Sequence, residues 1–139
     1  MTQLTQRYLD ELSYEIIGAA IEVHKELRAG LMEKVYEKYL IQELKLRNLS
    51  VQYQGSILIN YKGITLDTEL RYDLLVENQI VVELKAVEKM LPLFEAQLLS
   101  YMKLLGKAKG ILINFNCNNI FKEGQKTFIN EFYRNLPQH

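Results

Sequence analysis

The stretch Arg71–Lys85, "RYDLLVENQIVVELK", decides how the rest of the chain is read. Two apolar runs flank the polar connection Glu77-Asn78-Gln79, the pattern of a β-hairpin. Asp73, Glu83 and Lys85 interrupt the apolar rhythm within both strands. In an antiparallel pair, directly opposed residues point to the same face, and a one-residue slip moves every side chain across the sheet. A three-residue loop sets Val76 against Ile80 and predicts one unbroken apolar face from the pairs Leu74–Val82 and Tyr72–Leu84. The other face then receives Leu75–Val81, Asp73–Glu83 and Arg71–Lys85. A two-residue loop would instead oppose Asp73 to Leu84 and Glu83 to Leu74, mixing charge into both faces. The binary pattern therefore favours the odd loop, with two carboxylates opposed and a lysine two residues beyond one of them.

Like charges directly across a strand pair are destabilising, so the arrangement asks for a reason. One is a solvent-facing stripe in which Arg71 and Lys85 offset Asp73 and Glu83. The other is a divalent cation, because Mg²⁺ takes carboxylate oxygens and water, and two carboxylates from adjacent strands make half of such a shell. A lysine beside a bound cation could orient an attacking water or stabilise charge on a phosphate.

Working outward, Leu12, Ile16, Ile17, Ala20, Val23 and Leu27 recur at helical spacing and predict a helix over 9–27, closed near Gly30. Leu31, Val35, Tyr39 and Leu44 predict a second helix over 31–47. The period then changes to two, and "SILINYKGITLDTELRYDLLVENQIVVELKAV" reads as three consecutive antiparallel strands punctuated at Lys62-Gly63 and at Glu77-Asn78-Gln79. Pro92 suits the first turn of a third helix that stops at Gly106. "KGILINF" (Lys109–Phe115) has the compact apolar character of a buried strand. The segment "NCNNIFKEG" reads as a loop whose asparagines and Cys117 are accounted for by turn chemistry. A short strand at 127–129 and a frayed polar tail complete the chain. The order predicts an α/β domain with a mixed sheet of four to five strands flanked by helices.

The 139 residues carry no linker, repeat or low-complexity segment, so a single domain over 1–139 is expected. With 48% apolar and 24% charged residues, disorder is excluded. The zero formal net charge advertises neither nucleic acid nor an anionic membrane. Cys117, the lone cysteine, can form no internal disulfide, and no signal-like or membrane-spanning apolar run is present; a cytoplasmic protein is expected.

Asp73 followed by Glu83-Leu84-Lys85 on the next strand resembles the signature of the PD-(D/E)XK nucleases. "GLMEKVY", with Gly30, Glu33 and Tyr36, resembles the motif that names the GxxExxY family of small bacterial proteins, assigned to that superfamily. The block from Arg71 to Gly106 is similar to that family's central region. "EAQLLSY" supplies Gln97 and Tyr101, similar to the Q-x-x-x-Y element of the exonuclease branch. One departure is the turn before Glu33, where Arg28-Ala29-Gly30 replaces the frequent Gly-Pro-Gly. The resemblance implies a restriction-endonuclease-like core and a Mg²⁺- or Mn²⁺-dependent phosphodiesterase site. Asp73 and Glu83 would be metal ligands, Lys85 the catalytic lysine and Glu33 an accessory metal-binding acid. Gln97 would take part in catalysis, with Tyr101, Tyr36 and His24 lining the site or binding substrate.

Three functions are compatible with this reading. The first is a nuclease acting on nucleic acid, DNA above all, alone or as a homodimer or with a protein partner. The second is a non-catalytic nuclease-fold module that binds protein or nucleic-acid partners. The third is an enzyme acting on a small phosphorylated compound, which neutral charge permits.

Overall fold

A computed structural model describes residues 3–139. Helix α1 (Gln6–Leu27) begins at Thr5, whose hydroxyl accepts from the Tyr8 N–H, and ends at Arg28 with φ of 61°. Helix α2 (Glu33–Leu46) follows a short loop. Strands β1 (Val51–Tyr61), β2 (Ile64–Val76) and β3 (Ile80–Lys85) form a meander. Helix α3 (Pro92–Leu105) then crosses to β4 (Lys109–Asn114), and a π-helical turn (Ile120–Gly124) leads into β5 (Gln125–Ile129).

The five strands lie in sequence order in one sheet; β3 and β4 are parallel and every other neighbouring pair is antiparallel. This is the expected mixed sheet with helices on both faces. On one face α1 and α2 bury Leu12, Ile16, Tyr36 and Leu40 against Leu74, Val82, Leu84 and Ile113. On the other, Leu98, Tyr101 and Met102 of α3 pack on Ile57, Leu75, Val81 and Leu112. β3 and β4, covered on both sides, are almost wholly buried, which explains their near-continuous apolar composition.

The hairpin register is as expected at its closed end, with Val76 opposite Ile80, Leu75 opposite Val81 and Leu74 opposite Val82. Beyond Leu74 the expectation fails. The ladder between β2 and β3 stops there. Tyr72 does not continue the apolar face with Leu84: it packs on the α3 side with Ile57 and Leu75, while Leu84 stays on the α1–α2 side. The cause lies in β1, where Gln54 has a φ of 51° opposite Asp73 and breaks the alternation of both strands. Tyr72 then lies over Gly55, where an added Cβ would sit 2.1 Å from the ring. Arg71, expected opposite Lys85, instead donates to the Gln54 carbonyl and the Ser56 hydroxyl.

Other boundaries moved for local reasons. β1 starts at Val51 rather than near Ser56, because Gln52 and Tyr53 pair with Leu75 and Leu74 despite their mixed polarity. The loop after β4 contains a π-helical turn capped by the Asn119 side chain. The tail expected to fray carries a helical turn, α4 (Glu131–Arg134), and is pinned by bonds from the Gln6 and Arg7 N–H groups to the Pro137 and Gln138 carbonyls. The Tyr133 hydroxyl and the Lys109 ammonium both donate to Asp10, drawing the same segment onto the sheet.

Candidate active site

Where the β2–β3 ladder ends, two carboxylates take over from it. Glu83 Oε2 accepts from the Asp73 backbone N–H at 2.7 Å, and Asp73 Oδ2 accepts from the Leu84 N–H at 2.8 Å. Each acid thus satisfies a main-chain donor on or beside the other, which fixes both carboxylates at the splayed end of the hairpin. Glu83 is buried, at 5% exposure, and Asp73 is partly buried.

Glu37, on α2, joins through Gln54. The Gln54 amide donates to Glu37 Oε2 at 3.1 Å and reaches Asp73 Oδ1 at 3.4 Å. The positive φ of Gln54 that diverts Tyr72 also turns this amide toward the acids. Glu33, in the first turn of α2, is half-buried close enough to feel both Asp73 and Lys85.

Burial dominates the electrostatics. It raises the Glu83 carboxyl to about 8, reinforced by the charge of Asp73 and offset by the Asp73 N–H and Lys85. Burial likewise raises Asp73, against the opposing effects of the Leu84 N–H and Lys85. Glu33 and Glu37 are raised by burial and then by Asp73. Lys85 relieves Asp73, Glu83 and Glu33, and Lys34 relieves Glu33 and Glu37, yet burial keeps all four carboxyls raised, so the acids are short of positive charge.

Lys85 ends β3, and its ammonium lies 4.4 Å from the centre of the Phe94 ring at the start of α3. The chain just after it is clamped by Asn114, whose Oδ1 accepts from the Val87 N–H and whose Nδ2 donates to the Val87 carbonyl. On α3, Gln97 Nε2 donates to Tyr101 Oη at 2.9 Å. Tyr101 titrates high through burial and then the charge of Glu83, so this pair adjoins the acids. Leu70, Leu93, Ala96, Gln97, Ser100 and Tyr101 bound an open, mainly apolar slot of about 300 Å³ beside it.

The structure thus gathers Asp73, Glu83, Lys85, Glu33, Gln97 and Tyr101. It does not bring Tyr36 or His24 to them. Tyr36 is fully buried and stacks on Phe115 with ring centres 4.5 Å apart. Its hydroxyl donates to the Arg28 carbonyl and accepts from the Leu31 N–H, so it braces the loop that leads into Glu33 and has no surface to offer a substrate. His24 Nε2 lies 2.9 Å from the Cys117 carbonyl, tying α1 to the segment after β4. Sequence reasoning missed Glu37, Gln54, Phe94 and Asn114. Only Glu37 left a signal: it is four residues after Glu33 and shares its helix face.

The donor set suits a hard divalent cation. Among the described residues no three His, Cys, Asp or Glu side chains already form a closed ligand cage. Asp73 and Glu83 instead offer oxygen donors only, each with one oxygen held by a backbone N–H. Mg²⁺ is commonly bound in this way, through one or two carboxylates with water and substrate phosphate completing the shell. A cation there would also supply the positive charge that the acids lack.

A sequence profile of the PD-(D/E)XK nuclease superfamily matches residues 10–128, and the chain belongs to that superfamily. Its five-stranded mixed sheet flanked by helices is consistent with that fold. Nucleases of this superfamily generally use divalent metals. Among solved structures, the crystal structure of SSO0001 is similar, with a TM-score of 0.52 and 25% identity over 73% of this chain and 55% of that one. The chain therefore spans about half the length of that protein. No curated protein matches it. No helix among the described residues is long and apolar enough to cross a membrane.

Proposed function

We propose that the chain is a Mg²⁺- or Mn²⁺-dependent nuclease that hydrolyses phosphodiester bonds in nucleic acid, DNA above all. The observation that carries this reading is the pair Asp73 and Glu83, each held by a backbone N–H of the neighbouring strand, with Lys85 two residues beyond Glu83. A purely structural strand end has no use for a buried glutamate whose pKa is raised by burial and by an aspartate beside it.

Asp73 and Glu83 would hold the cation, with Glu33 reaching it directly or through water. When bound, the cation would polarise the scissile phosphate and make a bound water more acidic. Lys85 orients the attacking water and faces the charge that develops on the phosphate oxygens. The Lys85 ammonium lies over the Phe94 ring and forms no salt bridge with the acids among the described residues, so it stays available to the substrate. Gln97 and Tyr101 position the strand beside the slot, and Glu37 with Gln54 keeps Asp73 in place.

The test is cleavage of single-stranded DNA, duplex DNA and RNA in Mg²⁺ and in Mn²⁺ by wild type, Asp73→Ala and Lys85→Ala. Metal-dependent cutting by wild type alone is expected. If wild type cuts no substrate, or both variants cut as wild type does, the reading is wrong.

A further inference from the structure

Glu83 and Lys85 lie toward the C-terminal end of β3, and Lys85 pairs there with Asn114 at the end of the parallel strand β4. The chain leaving β4 therefore emerges beside the candidate active site, and the Phe115 N–H bonds to the Lys85 carbonyl. It meets the C-terminal end of α1 and encloses a pocket of about 240 Å³. Lys25 and Arg28 line one side, Asn118 and Asn119 the other, with buried Ile120 and the Phe121 ring between them.

We propose that this pocket binds one nucleotide of a single-stranded stretch of the substrate, flanking the bond that is cut. The pocket takes this role only if the chain handles nucleic acid, as proposed above. Three features fit a nucleotide. Lys25 and Arg28 are exposed, and neither forms a salt bridge among the described residues, so both are available to phosphate. Phe121 is 63% exposed, a costly position for a large aromatic ring unless it serves as a stacking surface. The volume is below that of a drug-sized cavity and suits a single ring system.

The surrounding charges agree. Glu22 and Glu26 of α1 face the separate groove against α2, away from the pocket. Glu123 is occupied by the Asn118 N–H at 2.7 Å. Arg28 is presented by a fixed backbone, because its carbonyl accepts from the buried Tyr36 hydroxyl. Arg28 opens the short loop that leads into α2 and its first residue, Glu33. In a chain with zero net charge, Lys25 and Arg28 thus stand beside one exposed ring, where a phosphate backbone could meet all three.

The experiment measures binding without cleavage. A labelled oligothymidine of about 12 nucleotides, a length within known single-strand site sizes, is titrated by fluorescence anisotropy in EDTA across a salt series. Expected are a loss of affinity on the order of tenfold for Lys25→Ala/Arg28→Ala and a salt slope shallower by about 1.4, two contacts' worth for a single strand. Phe121→Ala should lose about fivefold or more without changing the slope. Arg7→Ala/Lys45→Ala removes two cations from the far ends of α1 and α2 and should leave both quantities unchanged. Circular dichroism confirms that each variant is folded. If the Lys25/Arg28 and Phe121 variants bind as wild type does, or the far pair weakens binding equally, the pocket has no such role, while Lys85-dependent cleavage would still support the nuclease. If wild type neither binds nor cuts nucleic acid, the proposal falls together with the nuclease reading.

Discussion

Removing the charge of Glu83 should stabilise the metal-free protein at alkaline pH, a direction opposite to that of most substitutions at buried positions. Burial and Asp73 raise the Glu83 carboxyl from an ordinary 4.5 to about 8. As pH rises through 4.5, the unfolded chain releases this proton while the folded protein keeps it, so stability falls with pH until the folded carboxyl also ionises near 8. At about 1.4 kcal/mol per pH unit over that span, the loss is at most about 5 kcal/mol. Asp73, also raised by burial, acts in the same direction. Glu83→Gln keeps an oxygen for the Asp73 N–H and removes the charge. At pH 8 the variant should exceed wild type by about 2–4 kcal/mol, and at pH 4.5 the two should nearly coincide. Urea unfolding followed by circular dichroism reads this as a midpoint higher by roughly 1–2 M at pH 8. Magnesium at about a hundred times its Kd should return about 2.7 kcal/mol to wild type and much less to the variant. A wild-type midpoint that is flat from pH 4.5 to 8, or a variant weaker than wild type at pH 8, would refute the buried-pair account.

Three further outcomes are expected. Lys85→Met, which retains a side chain able to pack on Phe94, should fold normally yet lose about 10²–10⁴ in single-turnover cleavage; a loss under tenfold would remove Lys85 from the chemistry. Gly55→Ala drives a Cβ into the Tyr72 ring and should cost about 1–3 kcal/mol by urea unfolding, with Gly55→Ala/Tyr72→Leu recovering much of it. An unchanged midpoint for the single variant would mean that the ring does not lie over Gly55. Tyr36→Phe strips a buried hydroxyl from the Arg28 carbonyl and the Leu31 N–H and should cost about 1–3 kcal/mol, with cleavage by the folded protein close to wild type. A large activity loss at unchanged stability would instead put Tyr36 in the site.

Binary patterning specified the helices, the order of the strands and the three-residue register, because each depends on which side chains a regular element must bury. Lys62-Gly63 was legible as a two-residue turn, since both residues take the positive φ such a turn requires. The change of face at Tyr72 was not legible, because it follows from an unusual φ at Gln54, and glutamine carries no backbone signal of that kind. The α4 turn was hidden because Tyr133 ties it to α1, its carbonyl accepting from the Gln6 amide and its hydroxyl donating to Asp10, a contact no local pattern reveals. Of the site, Asp73, Glu83 and Lys85 were visible as charges out of place within apolar strands. Gln54, Phe94 and Asn114 were invisible because each acts through the fold: one turns an amide, one offers a ring, one clamps a loop.

The end of the β2–β3 ladder explains why this sheet can hold the acids at all. Had the ladder continued, Asp73 and Glu83 would stand opposed with their backbone groups already paired, and two bare carboxylates would repel across the strands. The splay beyond Leu74 frees the N–H groups of Asp73 and Leu84, which would be orphaned next to a hydrophobic core. Each acid satisfies one of them, so the backbone donors and the carboxylates compensate each other's burial. The backbone donors take one oxygen of each carboxylate, Gln54 reaches the other oxygen of Asp73, and a cation would draw on the capacity that remains. Hence Asp73→Ala should leave the Leu84 N–H without its partner and cost stability as well as activity, whereas Asp73→Asn, keeping an acceptor oxygen, should cost activity alone. Comparing the two by urea midpoint and by cleavage separates the acid's place in the sheet from its place in the chemistry. Equal midpoints for the two variants would show that the Leu84 N–H does not depend on Asp73.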